Sequence, residues 1–594
     1  MATYYVAPSP VGNDGAGNGT NAQPWATLTK GTSMMASGDI LIAKDGTYTG
    51  ELNRLTPTTM PPSGPGTGTG DGRFTIIRAE HMGQAIVSHA TGHCFHVSEG
   101  SPFYSWLQFD GFFFDHLASN YSAAIREAAA TSSSGDSLGH HIYIRRCGAV
   151  GRGSGAGVNF IVSADDSLME DCYVFGRCRA AFYFRCPGRR QMYRRCVVRM
   201  DDMAANNLGT SGIVFYGTRS GAAFNCISLD YDGKYVSNYQ GAGAGIGARS
   251  EDADAFPASN LVWEGCVVLN HKTHLASDPT ELGVVSGFSA IGTTWIVKSF
   301  QRNNVVWDMD RGYGIANSMG VTLDTSRYEH LTIGRIADTA VQNSRGTALY
   351  QLYGIPLRDS IAAFCERHGF EYCDDVDYVN VYGNGTNFYG TPTPAHYTTV
   401  NPLTNGLQYL CRIEDGSALK TAGVGGGQVG ATIVKRIGVD GTFYGESGYD
   451  TLMGVDLWPW PNESIIREKM RAYTPEYIPA GESVAGPDPH RGFCADGETL
   501  THYIWNYLGN GVPEDYGGDV AYQYAHPDAD VSKGSWTAST GSDLAPMVDE
   551  ADPDDADYIT SAATPDHDIC ELRLSSIPTP APGTVSITIR GRTL

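Results

Sequence analysis

The sequence predicts an all-β chain: a right-handed parallel β-helix with small helical caps and a C-terminal antiparallel β-module. Three observations carry that prediction. At 594 residues the chain is too long for one compact core, so it divides into domains or grows along an axis as a solenoid. A short strand-like segment ending in cysteine recurs through its middle, at the spacing of one solenoid coil. Glycine (73 residues) and tyrosine (33, against 21 Phe) are abundant, which suits tight turns between short strands.

The repeat is read from five segments. Ile142-Tyr143-Ile144-Arg145-Arg146-Cys147, Leu168-Met169-Glu170-Asp171-Cys172 and Met192-Tyr193-Arg194-Arg195-Cys196 share one pattern, and Ala223-Phe224-Asn225-Cys226 and Val262-Trp263-Glu264-Gly265-Cys266 repeat it. The cysteines stand 25, 24, 30 and 40 residues apart, as a coil with insertions of varying length would place them. Cysteine is small and apolar enough to stack on its counterpart in the next coil, about 4.8 Å away. The five are therefore expected in one buried ladder. The chain has 13 cysteines, an odd number without CxxC pairs, which reads as free thiols and not as a disulfide or metal framework.

Residues 1–50 form an opening module. Tyr4-Tyr5-Val6-Ala7-Pro8 is a strand, a short helix ends near Met35, and Asp45-Gly46-Thr47-Tyr48 is a turn into a new strand. The helix is expected to cover the open end of the solenoid. Residues 51–400 are assigned to the β-helix, with strands at 74–78, 106–112, 300–307 and 330–334 flanking the cysteine repeat. The Gly- and acid-rich stretch 237–259 reads as a lateral loop. Residues 401–535 are the far end of the helix with its cap: Leu457-Trp458-Pro459-Trp460-Pro461 precedes one helix candidate, and 499–508 is a second. Residues 536–594 supply about four strands, the β-module. So few strands leave edges and half a core open, so the module is expected to complete itself against other copies, as a trimer.

Acidic residues outnumber basic ones by 64 to 41, for a net charge of −23. That balance disfavours nucleic acid and anionic membrane surfaces. No run of 18 apolar residues suggests membrane insertion, and the first residues lack the basic and apolar regions of a secretion signal.

The opening segment, with Asn13-Asp14, Pro24-Trp25 and Gly38-Asp39 between its two strands, resembles the pectate-lyase-like superfamily of right-handed parallel β-helices. The likeness covers roughly residues 4–400. It implies the fold, and a polysaccharide as partner, because polysaccharide lyases and phage tailspikes share that architecture. The last sixty residues are similar to β-sandwich modules of phage and extracellular surface proteins.

Glycoside hydrolysis needs two carboxyl groups facing one groove. Asp201 and Asp202 follow one coil strand, and Asp230 and Asp232 follow the next, so register stacking brings them to one corner as catalytic candidates. The resemblance's Gly-His-Gly motif is absent, with Gly92-His93-Cys94 the nearest fragment. A lyase would instead use a basic residue, with calcium neutralising a uronate carboxylate. No other cofactor is implied, and Asp230-Tyr231-Asp232-Gly233 lacks the remaining ligands of a calcium loop. Arg189, Arg190, Arg194, Tyr231 and Lys234 are the candidate substrate-binding residues, though the arginines also have aspartates nearby to pair with. Phe112-Phe113-Phe114 and Tyr183 are candidate sugar-stacking surfaces.

Three functions fit these readings. The first is a tail-fibre or tailspike-like protein of a virion, binding a bacterial surface polysaccharide, with or without depolymerising it, beside other tail proteins. Alternatively the chain is an extracellular polysaccharide lyase or glycosidase, or a structural solenoid without catalysis.

Overall fold

The computed structural model describes residues 1–66, 73–89, 92–98, 103–116, 123–127, 139–152, 158–185, 188–202, 211–231, 243–249, 260–271, 285–291, 299–309, 313–317, 326–337, 346–404, 409–473, 488–509, 527–532, 537–538, 559–560 and 571–574. Among them, three long sheets of 12, 13 and 11 strands run the length of residues 3–398. Within each sheet every strand pairs in parallel with its counterpart one coil away. One coil is Leu168–Glu170 in the first sheet, Tyr173–Arg177 in the second and Ala180–Arg185 in the third. This is the right-handed parallel β-helix predicted from the repeat.

The corner between the first and second sheets is the most regular part of the coil. From Asp110 onward it is always two residues long. Its first residue adopts the left-handed conformation: Arg146 (φ 50°), Asp171 (55°), Arg195 (50°), Asn225 (50°) and Asn303 (52°) stack as one row. A non-glycine residue there costs roughly 1–2 kcal/mol. Its second residue points inward, and that position holds Cys147, Cys172, Cys196, Cys226 and Cys266, all fully buried. Phe112 precedes the cysteines in this row and Asn304 follows, its side chain bonding the backbone of Cys266 (2.9 Å) and Trp263 (2.9 Å). The predicted ladder is present.

Two residues before each ladder position lies a row of charge. In register it reads Arg78, Asp110, Arg145, Glu170, Arg194, Phe224, Glu264, Arg302, Glu329, Arg358. In-register stacking sets each side chain on its counterpart, where like charges repel. Alternation of sign avoids that penalty and forms ion pairs at Arg78–Asp110, Arg145–Glu170–Arg194 and Glu264–Arg302–Glu329, with Phe224 the one uncharged position.

The outward face of the second sheet is apolar. Val197, Ile227, Val267, Val305, Leu229, Leu269 and Trp307 alternate with inward residues such as Val198, Val268 and Val306, and all are buried. Residues 409–473 and 488–509 run lengthwise over the first and second sheets as a strap. Going out, Val424 bonds Asp359 (2.7 Å), Ala431 bonds Thr332 (2.9 Å), Ile437 bonds Asn225 (2.7 Å), and Phe443 stacks on Phe74 at 5.8 Å. Coming back, Tyr473 packs on Phe175, Pro489 on Arg199, Tyr503 on Asp230 and Tyr507 on Asp308.

Of the helices, α1 (Leu28–Ser33) belongs to the opening module, capped by Thr27 and packed on Leu41 and Val6. The other two, α2 (Glu463–Arg471) and α3 (Leu500–Tyr507), belong to the strap. The expected cover over the far end therefore lies along the side wall instead. The Trp-Pro-Trp motif explains itself there: Trp458, Trp460 and Trp505 form the strap's own small core, with Trp458 Nε1 donating to the Ile433 carbonyl (2.7 Å). No helix among the described residues is long and apolar enough to cross a membrane.

Residues 513–594 form a second unit. In it Pro527–Ser532 pairs antiparallel with Glu571–Leu574, and Thr537–Ala538 with Ile559–Thr560.

Candidate functional site

Two of the four predicted acids, Asp201 and Asp230, lie under the strap. Asp201 lies 2.9 Å from Arg199 and 3.1 Å from Arg491, and accepts the Gly176 amide at 2.8 Å. Asp230 accepts from Asn270 (2.7 Å) and from the Tyr503 hydroxyl (2.6 Å). Arg199 donates to the Pro489 carbonyl at 2.9 Å. Burial pulls its pKa down, but Asp201 and its neighbours more than offset this, leaving the guanidinium above its ordinary value. Glycine at 492 (φ +61°) lets the strap come this close, since a Cβ there would lie 1.9 Å from the Asp230 carboxylate. Both carboxylates are covered and paired, which corrects their assignment to an open catalytic groove. Asp202 ends the strand Val197–Asp202, and its side chain, like all of Asp232 and Lys234, lies outside the described residues.

Arg194 is corrected in the same way. It is fully buried, donating to Glu170 (2.6 Å) and to the strap carbonyls of Val439 (3.0 Å), Thr442 (3.1 Å) and Tyr449 (3.1 Å). Burial alone would raise the Glu170 pKa; Arg195 and Arg194 reverse that and hold it below the usual carboxylate value. Arg195 grips Asp171 (2.6 Å) and Asp440 of the strap (2.8 Å). Tyr231 is buried against His271, their ring centroids 5.3 Å apart, and Phe112, Phe113 and Phe114 are buried as well. Arg190 forks onto Asp166, and the Arg189 amide donates to Asp165 at 2.8 Å. These two stand at the corner between the third and first sheets.

The third sheet differs from the other two walls. Connections into and out of it run from Leu229 to Gly243, Arg249 to Leu261, and His271 to Val285, where the opposite corner never exceeds two residues beyond Asp110. Its inward row is apolar: Ile125, Phe160, Phe182, Ile213, Ile246, Phe288, Ile315, Leu349 and Phe370. The neighbouring outward row begins His96, Arg126, Ile161, Tyr183, Val214 and ends Tyr350, Glu371, Tyr389. Tyr183 stacks on Tyr216 at 5.3 Å. At the far end Tyr353, Tyr372 and Tyr389 are exposed. The sequence carries their signal as alternation, in Leu349-Tyr350-Gln351-Leu352-Tyr353 and Phe370-Glu371-Tyr372-Cys373: apolar residues turn inward and tyrosines outward. Such a face, hydroxylated aromatics on a rigid sheet bordered by loops, suits stacking on sugar rings.

Among the described residues one trio has metal-ligand proximity, Asp45, Glu80 and His81, all exposed. The His81 ring bonds Asp45 at 2.9 Å. Two carboxylates and an imidazole do not make the six to eight oxygens that calcium takes, so these residues do not fit a calcium site.

No protein-family description and no curated protein sequence matches this chain. Similar solved structures include a pectate lyase, at 13% identity over 72% of this chain and 96% of that one, with a TM-score of 0.40. A rhamnogalacturonan lyase is 14% identical over 62% and 82%, with a TM-score of 0.37. The A-module of a mannuronan C-5 epimerase from Azotobacter vinelandii is 11% identical over 61% and 91%, with a TM-score of 0.29. The fold itself rests on the pairing of the strands: this chain is a parallel β-helix of three sheets.

Proposed function

We propose that the chain is a glycan-binding solenoid of the tailspike or tail-fibre kind, whose third sheet meets a bacterial surface polysaccharide. The observation behind this is the asymmetry of the coil. All long connections beyond residue 110 border the third sheet, while the strap seals the other two. In repeat architectures the insertion-bearing face is commonly the binding face. The virion tail, or an extracellular surface, is the proposed location, and a trimer the proposed assembly.

Affinity electrophoresis of the full chain against a panel of bacterial surface polysaccharides tests the binding. Retardation by at least one polymer, weakened in Tyr183→Ala, is expected; free migration through every polymer would remove the reading. Light scattering tests the assembly, and a monomer at micromolar concentration rejects the trimer.

A second reading, a polysaccharide lyase or glycosidase, draws on Asp202, which closes its strand at a connection leading to the third sheet. Release of ultraviolet-absorbing ends or reducing ends, lost in Asp202→Asn, would establish it.

A further inference from the structure

We propose that the tyrosines at the far end of the third sheet form a stacking site for a neutral glycan chain. The inference rests on the glycan-binding reading and narrows it to a site and a class of sugar. Tyr350 on Thr347–Leu352, Tyr372 on His368–Cys373 and Tyr389 on Thr386–Tyr389 come from three successive strands. Tyr350, Glu371 and Tyr389 are partners in register, and Tyr372 stands edge-on to both tyrosines, with ring centroids 6.3 and 5.6 Å apart. Tyr372 is 36% exposed, Tyr389 46% and nearby Tyr353 52%.

These rings are held in place. His368 stacks on one face of Tyr389 at 4.4 Å and 7°, fixing its orientation. Tyr372 itself takes the left-handed conformation (φ 53°), which carries its ring outward at the end of its strand. Gly390 (φ 58°), which follows Tyr389 in the next coil, packs against it: a Cβ there would lie 2.5 Å from the Tyr372 ring. Gln351 takes the same conformation one coil earlier (φ 56°), so the coil geometry sets the direction of the Tyr372 ring and Gly390 leaves room for it.

The charges around the shelf select the ligand. Glu371 lies in register between Tyr350 and Tyr389, but its carboxylate is buried beneath the rings and accepts from Thr347 at 2.9 Å. Asp374 accepts the Gly354 amide at 2.6 Å. The cations are engaged: Arg358 with Asp375 at 2.6 Å, and Arg367 with partners of its own. A uronate or sialate carboxylate would meet like charge at the exposed Asp374, whereas an uncharged pyranose offers C–H faces to the rings and hydroxyls to the phenols. Successive coils rise about 4.8 Å, close to the length of one pyranose unit, so a chain lying along the axis keeps pace with the strands.

The test is affinity electrophoresis of the full-length protein through gels containing dextran, mannan or galactan, and separately polygalacturonate or alginate. Retardation by a neutral polymer is expected, insensitive to added salt and weakened about ten-fold in Tyr372→Ala and Tyr389→Ala. Tyr389→Phe should keep most of it, and unchanged melting temperatures would confirm that the variants fold. Retardation by a neutral polymer that survives both alanine variants, or by acidic polymers alone, overturns the shelf while leaving glycan binding standing. Retardation by no polymer defeats both.

Discussion

The strapped walls and the third wall are made by the same coil, yet they solve opposite problems. On the strapped side the outward residues are mostly apolar or paired charges, and from Asp110 onward the corner is always two residues long. On the third side the connections vary in length, and the outward row mixes tyrosine, histidine and arginine with small residues. Keeping the two roles on different faces lets the insertions change without disturbing the register that the corner and its charge row define. The contrast even runs along one row of side chains, since Arg194 is fully buried under the strap whereas Arg302, three positions on, is 50% exposed.

The sharpest way to break this comparison is Arg194→Met. It leaves Glu170 buried without its best partner, and destabilisation by about 3–5 kcal/mol in a denaturant titration is expected. Arg194→Met with Glu170→Gln should recover much of that loss. A single variant as stable as the parent would mean that the strap is not clamped by this pair.

Acidification comes next. Burial lowers the pKa of His141, beside the strap, to about 4, and that of His93, on the third-sheet side, to about 3, from 6.5. The unfolded chain takes up these protons near pH 6.5 and the folded chain does not. Their contribution is therefore complete above 6.5 and is lost as the pH falls through the unfolded value toward the folded ones. The denaturation midpoint should drop between pH 7 and 4.5, and drop less in His141→Gln. An equal drop in that variant would show that His141 carries none of the dependence.

A smaller effect is expected for Arg302→Ala, which removes from Glu264 a partner that is itself half-exposed to solvent: about 1 kcal/mol. A loss approaching that of Arg194→Met would erase the distinction between covered and open stretches of the row. The smallest effect is none. Burial pushes the thiols of Cys147, Cys196 and Cys266 well above their ordinary pKa, and a thiol reagent should leave the ladder unlabelled in the native protein. Rapid labelling at neutral pH would contradict the packed interior.

How far the sequence reveals this depends on range. The ladder is legible because its cysteine recurs beside residues that recur with it. The charge row was equally present, as Arg145, Glu170, Arg194 and Glu264 two places before their cysteines, but alternation of sign has meaning only once the strands are stacked. The Val-Val doublets after Cys196 and Cys266 signalled a sheet buried on both faces, though not what buries it. Asp201 and Asp230 both lie near Arg199. What hides them, Arg491, Gly492 and Tyr503, comes from more than 260 residues further along, and no local pattern reports such a contact.

A bare solenoid is nearly one-dimensional: each coil touches only its neighbours, so terminal coils fray and the stack melts piecemeal. The strap abolishes that independence, because one segment grips coils from Phe74 to Asp359 at once. Partial opening at any point along those coils must also peel the strap, which couples them into one cooperative transition. It also orders assembly in time. The strap leaves the ribosome after the coils it binds, so the Val-Val faces stand exposed until it arrives, and closure of those long loops is the slow, aggregation-exposed step of folding.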